Sequence, residues 1–488
     1  MNTENKWINF FRNYGLAMVL CLLFAGIFVT IFSPVTSSIS YYYNLGEGAM
    51  HLTAGKGWAF HFVPYKDLFD PIGPFPLLLL RQGFLMGNSN KTGFLSIQIL
   101  FLAMTLLAIW MTARSARKSF FYSFACVALS LVFLYPCYTK GISIEEFVLP
   151  FLAWSTYGLY QNLWKKRNHP LWFLLYGITA GVCLMTSGIL YLPIILFLFA
   201  VLWDIRKDTK TLWKSIGLWI FGLLILTIPF SIYFAMQGCF DSFLEALSFP
   251  LQFWKEGNIR NFFSSRYTLR AFLENHLPMY CILIAAIPCL IRKEYRNSVL
   301  FILTGILEYI WLTKLPMDYR SGSLNMLTQI VLCMNMFVPF LIEAKQALLK
   351  TSFIVIAVLS FAWVSIKDIP IAIRQYTPYS TYIDQGFESL LSYIPSTEYD
   401  RFAGYGASSI RKMYMLTNTM SCYSFYSDQE TLAKTSPKLK EKIRQEFQEG
   451  DALWILTDLS TNTINDVLES KYELIDQEGV YKLYHLKG

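Results

Sequence analysis

The chain has 488 residues, 55% of them hydrophobic and only 15% charged, with 40 Phe, 30 Tyr and a mean hydropathy of +0.40. Soluble domains are about a quarter charged, so a single water-facing globule is excluded and a polytopic membrane protein is expected. The net charge of +8 is unevenly spread: 28 Lys and Arg stand against 16 Asp and Glu before Lys367, and 13 against 17 from there on. The basic residues punctuate apolar runs instead of forming the water-facing patch that nucleic acid requires, so no nucleic-acid partner is expected.

Lys6 and Arg12 precede the first apolar run, which lacks a small-residue cleavage site and reads as an uncleaved span. Runs long enough for a bilayer core of about 20 residues fall near 15–33, 95–113, 119–136, 147–163, 171–187, 189–204, 215–236, 277–291, 297–313, 324–343 and 351–366. That makes about eleven transmembrane helices. Short cytoplasmic loops carry excess Lys and Arg. A cytoplasmic N-terminus puts Arg114/Arg117/Lys118, Lys165/Lys166/Arg167, Arg206/Lys207/Lys210/Lys214, Arg292/Lys293/Arg296 and Lys345/Lys350 on the inner side. An odd number of spans then sends the tail outside.

The first outer loop, 34–94, holds Glu47 in Gly46-Glu-Gly48, ahead of a short interfacial helix over Ala49–Ala54. The helix dipole would favour its ionised form, and at the outer surface it could take a proton from an acceptor hydroxyl as a general base. A capping glutamate without chemistry is the alternative. The loop continues as Tyr65-Lys-Asp-Leu-Phe-Asp70-Pro-Ile-Gly73-Pro74, a rigid turn in which Asp67 and Asp70 could bond backbone amides. Lys56 and Lys66 could face phosphate, although an exposed lysine is usually only solvated. A second surface helix is expected over Phe75–Leu80.

Glu145 and Glu146 open the fourth span, either hydrated or functional. The second outer loop, 237–276, sets Arg260, Arg266 and Arg270 beside Phe262, Phe263 and Tyr267. Guanidinium binds phosphate bidentately, which suits a lipid-linked phosphate; snorkelling arginines on an interfacial helix are the plainer reading. Asp318-Tyr-Arg320 forms a smaller set of the same kind. His51 and His61 are a weak metal signal, six of the nine cysteines sit in apolar runs, and there is no CxxC. No metal site or disulfide framework is expected, and no cofactor is required. From Lys367 the chain turns polar, with helical patterns near Ser408–Leu416, Pro437–Phe447 and Thr463–Ser470, strands near Ala452–Thr457, Tyr472–Ile475 and Val480–Leu486, and a turn at Asp476–Gly479. This predicts a small α/β domain over 367–488 behind a membrane module over 1–366.

Tyr65, Lys66, Asp67, Phe69, Asp70, Gly73 and Pro74 match a stretch of the GT-C superfamily of polytopic glycosyltransferases, in the bacterial branch of protein mannosyltransferases and lipid A aminoarabinose transferases. The chain resembles that branch in architecture throughout, with motif identity confined to about thirty residues. It departs at Glu47, where the family's loop aspartate falls, and at Pro71-Ile72, where His-Lys is usual. The resemblance implies an α-helical, GT-C-like membrane protein of the bacterial cell membrane with an extracytoplasmic α/β domain. Its activity would be inverting transfer from a polyprenyl-phosphate sugar to a glycan, lipid or protein acceptor. Glu47 would be the base; Lys66, Asp67, Asp70, Arg260, Arg266, Arg270 and Arg320 would bind donor phosphate or substrate. A lipid-linked glycan flippase and a polysaccharide polymerase are the alternatives; the scarcity of charge within the spans, Glu308 being the main exception, speaks against the transporter.

Overall fold

The computed structural model describes residues 14–33, 48–87, 92–116, 120–138, 144–256, 293–314, 386–407, 419–450, 452–458 and 461–488, with a few single residues between. The helices are α1 (Leu16–Phe32), α2 (Gly48–Ala59), α3 (Pro74–Gly87), α4 (Thr92–Ala116), α5 (Phe120–Tyr138), α6 (Leu149–Leu163), α7 (Leu171–Leu184), α8 (Leu192–Ile205), α9 (Thr209–Met236), α10 (Phe240–Glu256) and α11 (Tyr295–Lys314). Each expected span up to 313 other than 277–291 coincides with one of them. The spans at 324–343 and 351–366, and nearly all of 277–291, lie outside the described residues.

Among the described residues, α4 and α9 are the helices long and apolar enough to cross a membrane, and shorter apolar helices lie at Leu16–Ile31, Leu171–Leu184 and Ile194–Ile205. They meet different surroundings. Half of the apolar stretch of α4 is buried, against 11% of that of α9. Trp213, Phe221, Ile225, Ile228 and Ile232 of α9 lie bare, as do Val19, Leu23 and Ile27 of α1. Such continuous apolar faces are not stable in water; a bilayer covers them at no cost. Where α9 does pack, it packs closely: a Cβ on Gly177 of α7 would lie 2.0 Å from the Trp219 carbonyl oxygen. Small residues allow this backbone approach between helices in lipid.

α9 spans 28 residues, about 42 Å at 1.5 Å per residue, and separates two ends of different character. Near its start, Asp204 of α8 pairs with Lys166 before α7 and with Arg296 of α11, gathering three basic loops on one side. Near its end, Tyr233 and Phe234 meet the segment that joins α1 to α4: the Trp58 indole N–H donates to the Tyr233 hydroxyl at 3.3 Å, and the Tyr65 ring stands edge-on to Phe234 at 4.9 Å.

The tail contributes α12 (Gly386–Leu391), β1 (Phe402–Tyr405), α13 (Gln429–Thr435), α14 (Pro437–Glu449), β2 (Trp454–Thr457), α15 (Asn465–Lys471), β3 (Tyr472–Glu478) and β4 (Tyr481–Leu486). They build a four-stranded sheet in the order β1-β2-β4-β3. β1 and β2 pair in parallel, Phe402 opposite Trp454, through the crossover that carries α13 and α14. Both strands are buried along their whole length, whereas β3 is a mostly exposed edge. α14 starts at a Ser436 cap with Pro437 in its first turn and buries Leu439, Ile443 and Phe447 at four-residue spacing.

The expected hairpin turn shifts. β3 continues through Glu478, which pairs with Tyr481, leaving Gly479-Val480 as a two-residue turn. A bulge between Leu474 and Asp476 carries the strand past the polar residues that read as loop. β1 is a strand that the sequence pattern missed, and part of the Ser408–Leu416 helical pattern lies outside the described residues.

Candidate functional site

The stretch Tyr65–Pro74 is bound up in its own hydrogen bonds. Asp67 Oδ2 accepts from the Val63 amide at 2.7 Å, its own amide donates to the Val63 carbonyl, and the Tyr65 amide donates to the Leu68 carbonyl at 2.7 Å. Tyr65 takes a left-handed backbone, φ 67°, and its hydroxyl donates to the Ile72 carbonyl at 2.7 Å. Burial raises the pKa of that phenol well above its ordinary value, with the Asp70 charge adding to the effect. The Gly73-Pro74 step docks on the link between α7 and α8. The Gly73 amide donates to the Thr186 carbonyl and the Phe75 amide to that of Met185; a Cβ at Gly73 would sit 2.1 Å from the Met185 oxygen. Glycine is therefore required there by contact. Pro74 then starts α3, where a missing N–H costs nothing.

Asp70 behaves differently from its neighbour. Its carboxylate is fully buried and takes His51 Nδ1 at 3.0 and 2.9 Å from its two oxygens. A carboxylate only accepts, so Nδ1 carries the hydrogen. The Tyr426 hydroxyl of the tail lies 3.3 Å from Asp70 Oδ2 and donates to the Met50 carbonyl at 2.9 Å. One proton serves the shorter contact best. The Tyr426 pKa is raised well above its ordinary value, first by burial and then by Asp70. Behind it, Arg411 pairs with Asp428, whose pKa is nonetheless raised because burial outweighs the guanidinium.

Two expectations change here. Lys56 is no solvated lysine: it is 7% exposed, and its Nζ donates to the Tyr414 carbonyl of the tail at 2.8 Å. Burial lowers its pKa from 10.5 to about 8. Glu146 is not hydrated: it is fully buried and accepts from Gln98 Nε2 at 2.6 Å, while Ser33 Oγ donates to Gln98 Oε1 at 2.9 Å.

Loop and tail thus meet along a continuous seam, reinforced by the Phe69 amide donating to the Ser424 carbonyl at 2.8 Å and by the Phe69 ring tilted against Phe425. A cleft of about 420 Å³ opens along it. Phe60, His61, Phe62, Lys66 and Asp67 form one wall, and Ser421, Cys422, Ser424 and Glu446 the other. Of the residues read from sequence as site residues, Lys66 and Asp67 line this cleft, and Asp70 lies buried beside it. Glu47 lies outside the described residues, as do Arg260, Arg266, Arg270 and Arg320; α2 begins at Gly48, the residue after Glu47. His51 was weighed only as a weak metal signal, and Tyr426 and Asp428 were missed. A histidine three residues into a predicted helix was the available signal, but its carboxylate partner Asp70 lies 19 residues on, and that carboxylate's further neighbour Tyr426 lies 356 residues beyond Asp70. Among the described residues, no three His, Cys, Asp or Glu side chains gather as a metal site.

The family model for dolichyl-phosphate-mannose-protein mannosyltransferase matches residues 71–234, from the end of the turn to the end of α9. This bears out, over that segment, the resemblance to GT-C glycosyltransferases read from Tyr65–Pro74. No curated protein matches the sequence. Among solved structures the chain is similar to ArnT from Cupriavidus metallidurans bound to undecaprenyl phosphate, with 11% identity, 96% of this chain and 97% of that one covered, and a TM-score of 0.48. The apo state of that protein gives 11% identity, coverage of 99% and 98%, and a TM-score of 0.48. The Archaeoglobus fulgidus oligosaccharyltransferase, in complex with zinc and sulfate, gives 12% identity, coverage of 90% and 68%, and a TM-score of 0.47.

Proposed function

We propose that this chain is a membrane glycosyltransferase that moves a sugar from a polyprenyl-phosphate donor to an acceptor on the outer side of a bacterial cell membrane. The observation that carries the reading is the family match over residues 71–234, which begins where the Tyr65–Pro74 turn docks on the link between α7 and α8. The acceptor hydroxyl gives its proton to Glu47 and attacks the anomeric carbon as the bond from that carbon to the phosphate oxygen breaks. The electron pair leaves with polyprenyl phosphate, and the configuration inverts. Arg260, Arg266, Arg270 and Arg320 neutralise the departing phosphate, an electrostatic contribution that often dominates such reactions. Lys66 and Asp67 bind substrate from the cleft wall. Asp70 acts one step removed, holding His51 and so the first turn of α2, into which Glu47 leads.

The topology supports this. Three basic loops meet around Asp204; with that end of α9 in the cytoplasm, in keeping with the excess of Lys and Arg in inner loops, the first loop and the tail at its far end would share the donor's side. The acceptor could be a glycan, a lipid or a protein.

The test is transfer in vitro from a polyprenyl-phosphate hexose. Wild type is expected to transfer, and Glu47→Gln to lose about a hundredfold or more, the usual contribution of a general base. Full activity in Glu47→Gln would remove Glu47 from the mechanism. A wild type that transfers nothing but carries lipid-linked sugar across vesicles would replace the transferase with a flippase.

A further inference from the structure

The cleft along the seam has a chemistry of its own. Phe60, at its edge, is 50% exposed, an aromatic face left open among the described residues, and Phe62 lies nearby. Its carboxylates are fixed from behind. Asp67 is held by the Val63 amide, and Glu446 receives the Ser424 amide at 2.7 Å on one oxygen and the Phe425 amide at 3.2 Å on the other. Each carboxylate oxygen has a second lone pair, so both groups keep acceptor capacity toward the cleft without having to reorganise. Lys66 supplies donors.

Lys66 and His61 are the basic residues on the lining, against the carboxylates of Asp67 and Glu446, a poor match for phosphate, which needs convergent donors and suffers repulsion from acidic neighbours. The match is better for a neutral molecule with an apolar face and a rim of hydroxyls that both donate and accept. Pockets of roughly 300–1,000 Å³ hold small ligands, and at about 420 Å³ this cleft lies toward the smaller end. Its position is informative too: Ser424 bonds the Phe69 amide, next to the buried Asp70.

We propose that this cleft binds a neutral saccharide unit, the sugar end of the acceptor, between Phe60, Lys66 and Asp67 of the loop and Glu446 of the tail. Its identity as acceptor rests on the transferase reading above; saccharide binding itself does not. The tail thereby selects the acceptor, while the donor's phosphate is held elsewhere.

The full-length chain in lipid nanodiscs, free of sugar-headed detergent, would be titrated by saturation-transfer NMR. The probes are methyl glucoside, galactoside and mannoside, N-acetylglucosamine, and glucose 6-phosphate. At least one neutral sugar is expected to bind saturably, more tightly than the phosphate ester, and to weaken by about tenfold or more in Phe60→Ala and in Lys66→Ala, as loss of a direct contact implies. A diazirine-bearing analogue of the bound hexoside, photolysed on wild type, is expected to label residues 60–67 or 421–446, a readout independent of either variant's folding. No binding by any neutral sugar, tighter binding of glucose 6-phosphate, unchanged affinity in both variants, or labelling only elsewhere would each overturn the proposal. Donor hydrolysis without saccharide binding refutes the cleft and leaves the transferase standing. Saccharide binding without turnover of any donor does the reverse.

Discussion

Asp70 and His51, 19 residues apart, meet with both carboxylate oxygens within 3.0 Å of Nδ1, and the carboxylate has no exposure to solvent. The pair ties the Tyr65–Pro74 turn to the first turn of α2, so two segments that sequence presents as separate features form one unit.

Removing either partner strands a buried polar group. Asp70→Asn and His51→Ala are each expected to cost about 3 kcal/mol, the lower part of the range for breaking a buried pair. The double variant should lose little more than the worse single one, because the interaction is lost only once. A thermodynamic cycle from unfolding curves reads this directly; strict additivity of the two losses would mean that the pair contributes nothing to stability.

Tyr426 extends the unit into the tail. Tyr426→Phe keeps the ring beside Tyr414 but leaves the buried Met50 carbonyl without its 2.9 Å donor. The expected loss is about 1–2 kcal/mol. Hydrogen exchange should quicken in the first turn of α2, far in sequence from the substitution. Unchanged exchange there would show that the tail does not brace that turn.

Much of this was legible in the sequence. The helices follow apolar runs that composition alone marks, and α14 follows from Ser436-Pro437 and its four-residue spacing, because those signals are local. The role of Gly73 was partly legible, since a Gly-Pro pair marks a tight junction, but its contact with Met185 depends on a helix pair more than a hundred residues on. Lys56 and Asp70 were misjudged for one reason: their burial is imposed by the tail, through Tyr414 and Tyr426, and no local pattern encodes a contact across more than 350 residues. β1 was missed because a four-residue strand buried on both faces does not alternate.

A second brace joins α10 to the tail. Glu245 is nearly buried and receives Lys442 Nζ at 2.5 Å and Lys438 Nζ at 3.3 Å. Lys438 is the more exposed of the two lysines, and exposed pairs contribute little. Lys438→Ala should therefore change stability by less than about 0.5 kcal/mol. Glu245→Gln should cost about 1–2 kcal/mol, since it weakens the charge-assisted bond to Lys442, with Lys442→Ala between the two. Equal effects for the two lysines would indicate that burial of Glu245 does not govern the brace.

Lys56 gives the seam a pH dependence of predictable sign. Its folded pKa is lowered to about 8 from 10.5, so below about pH 8 both folded and unfolded chains carry the proton, and the folded chain bears the cost of burying the charge. Between about 8 and 10.5 the unfolded lysine still binds a proton that the folded one has released. The unfolded state then binds more protons, and stability rises with pH across that window. One proton's difference is worth at most about 1.4 kcal/mol for each pH unit crossed, so the whole gain attributable to Lys56 is at most about 3.5 kcal/mol. Tyrosines and cysteines titrate in the same range, so the informative quantity is the difference between wild type and Lys56→Met, measured as thermal midpoints from pH 7.5 to 10. Wild type should gain on the variant as pH rises, even though the neutral amine keeps its bond to the Tyr414 carbonyl. Parallel profiles would mean that Lys56 is hydrated in solution and that the seam between loop and tail is open there.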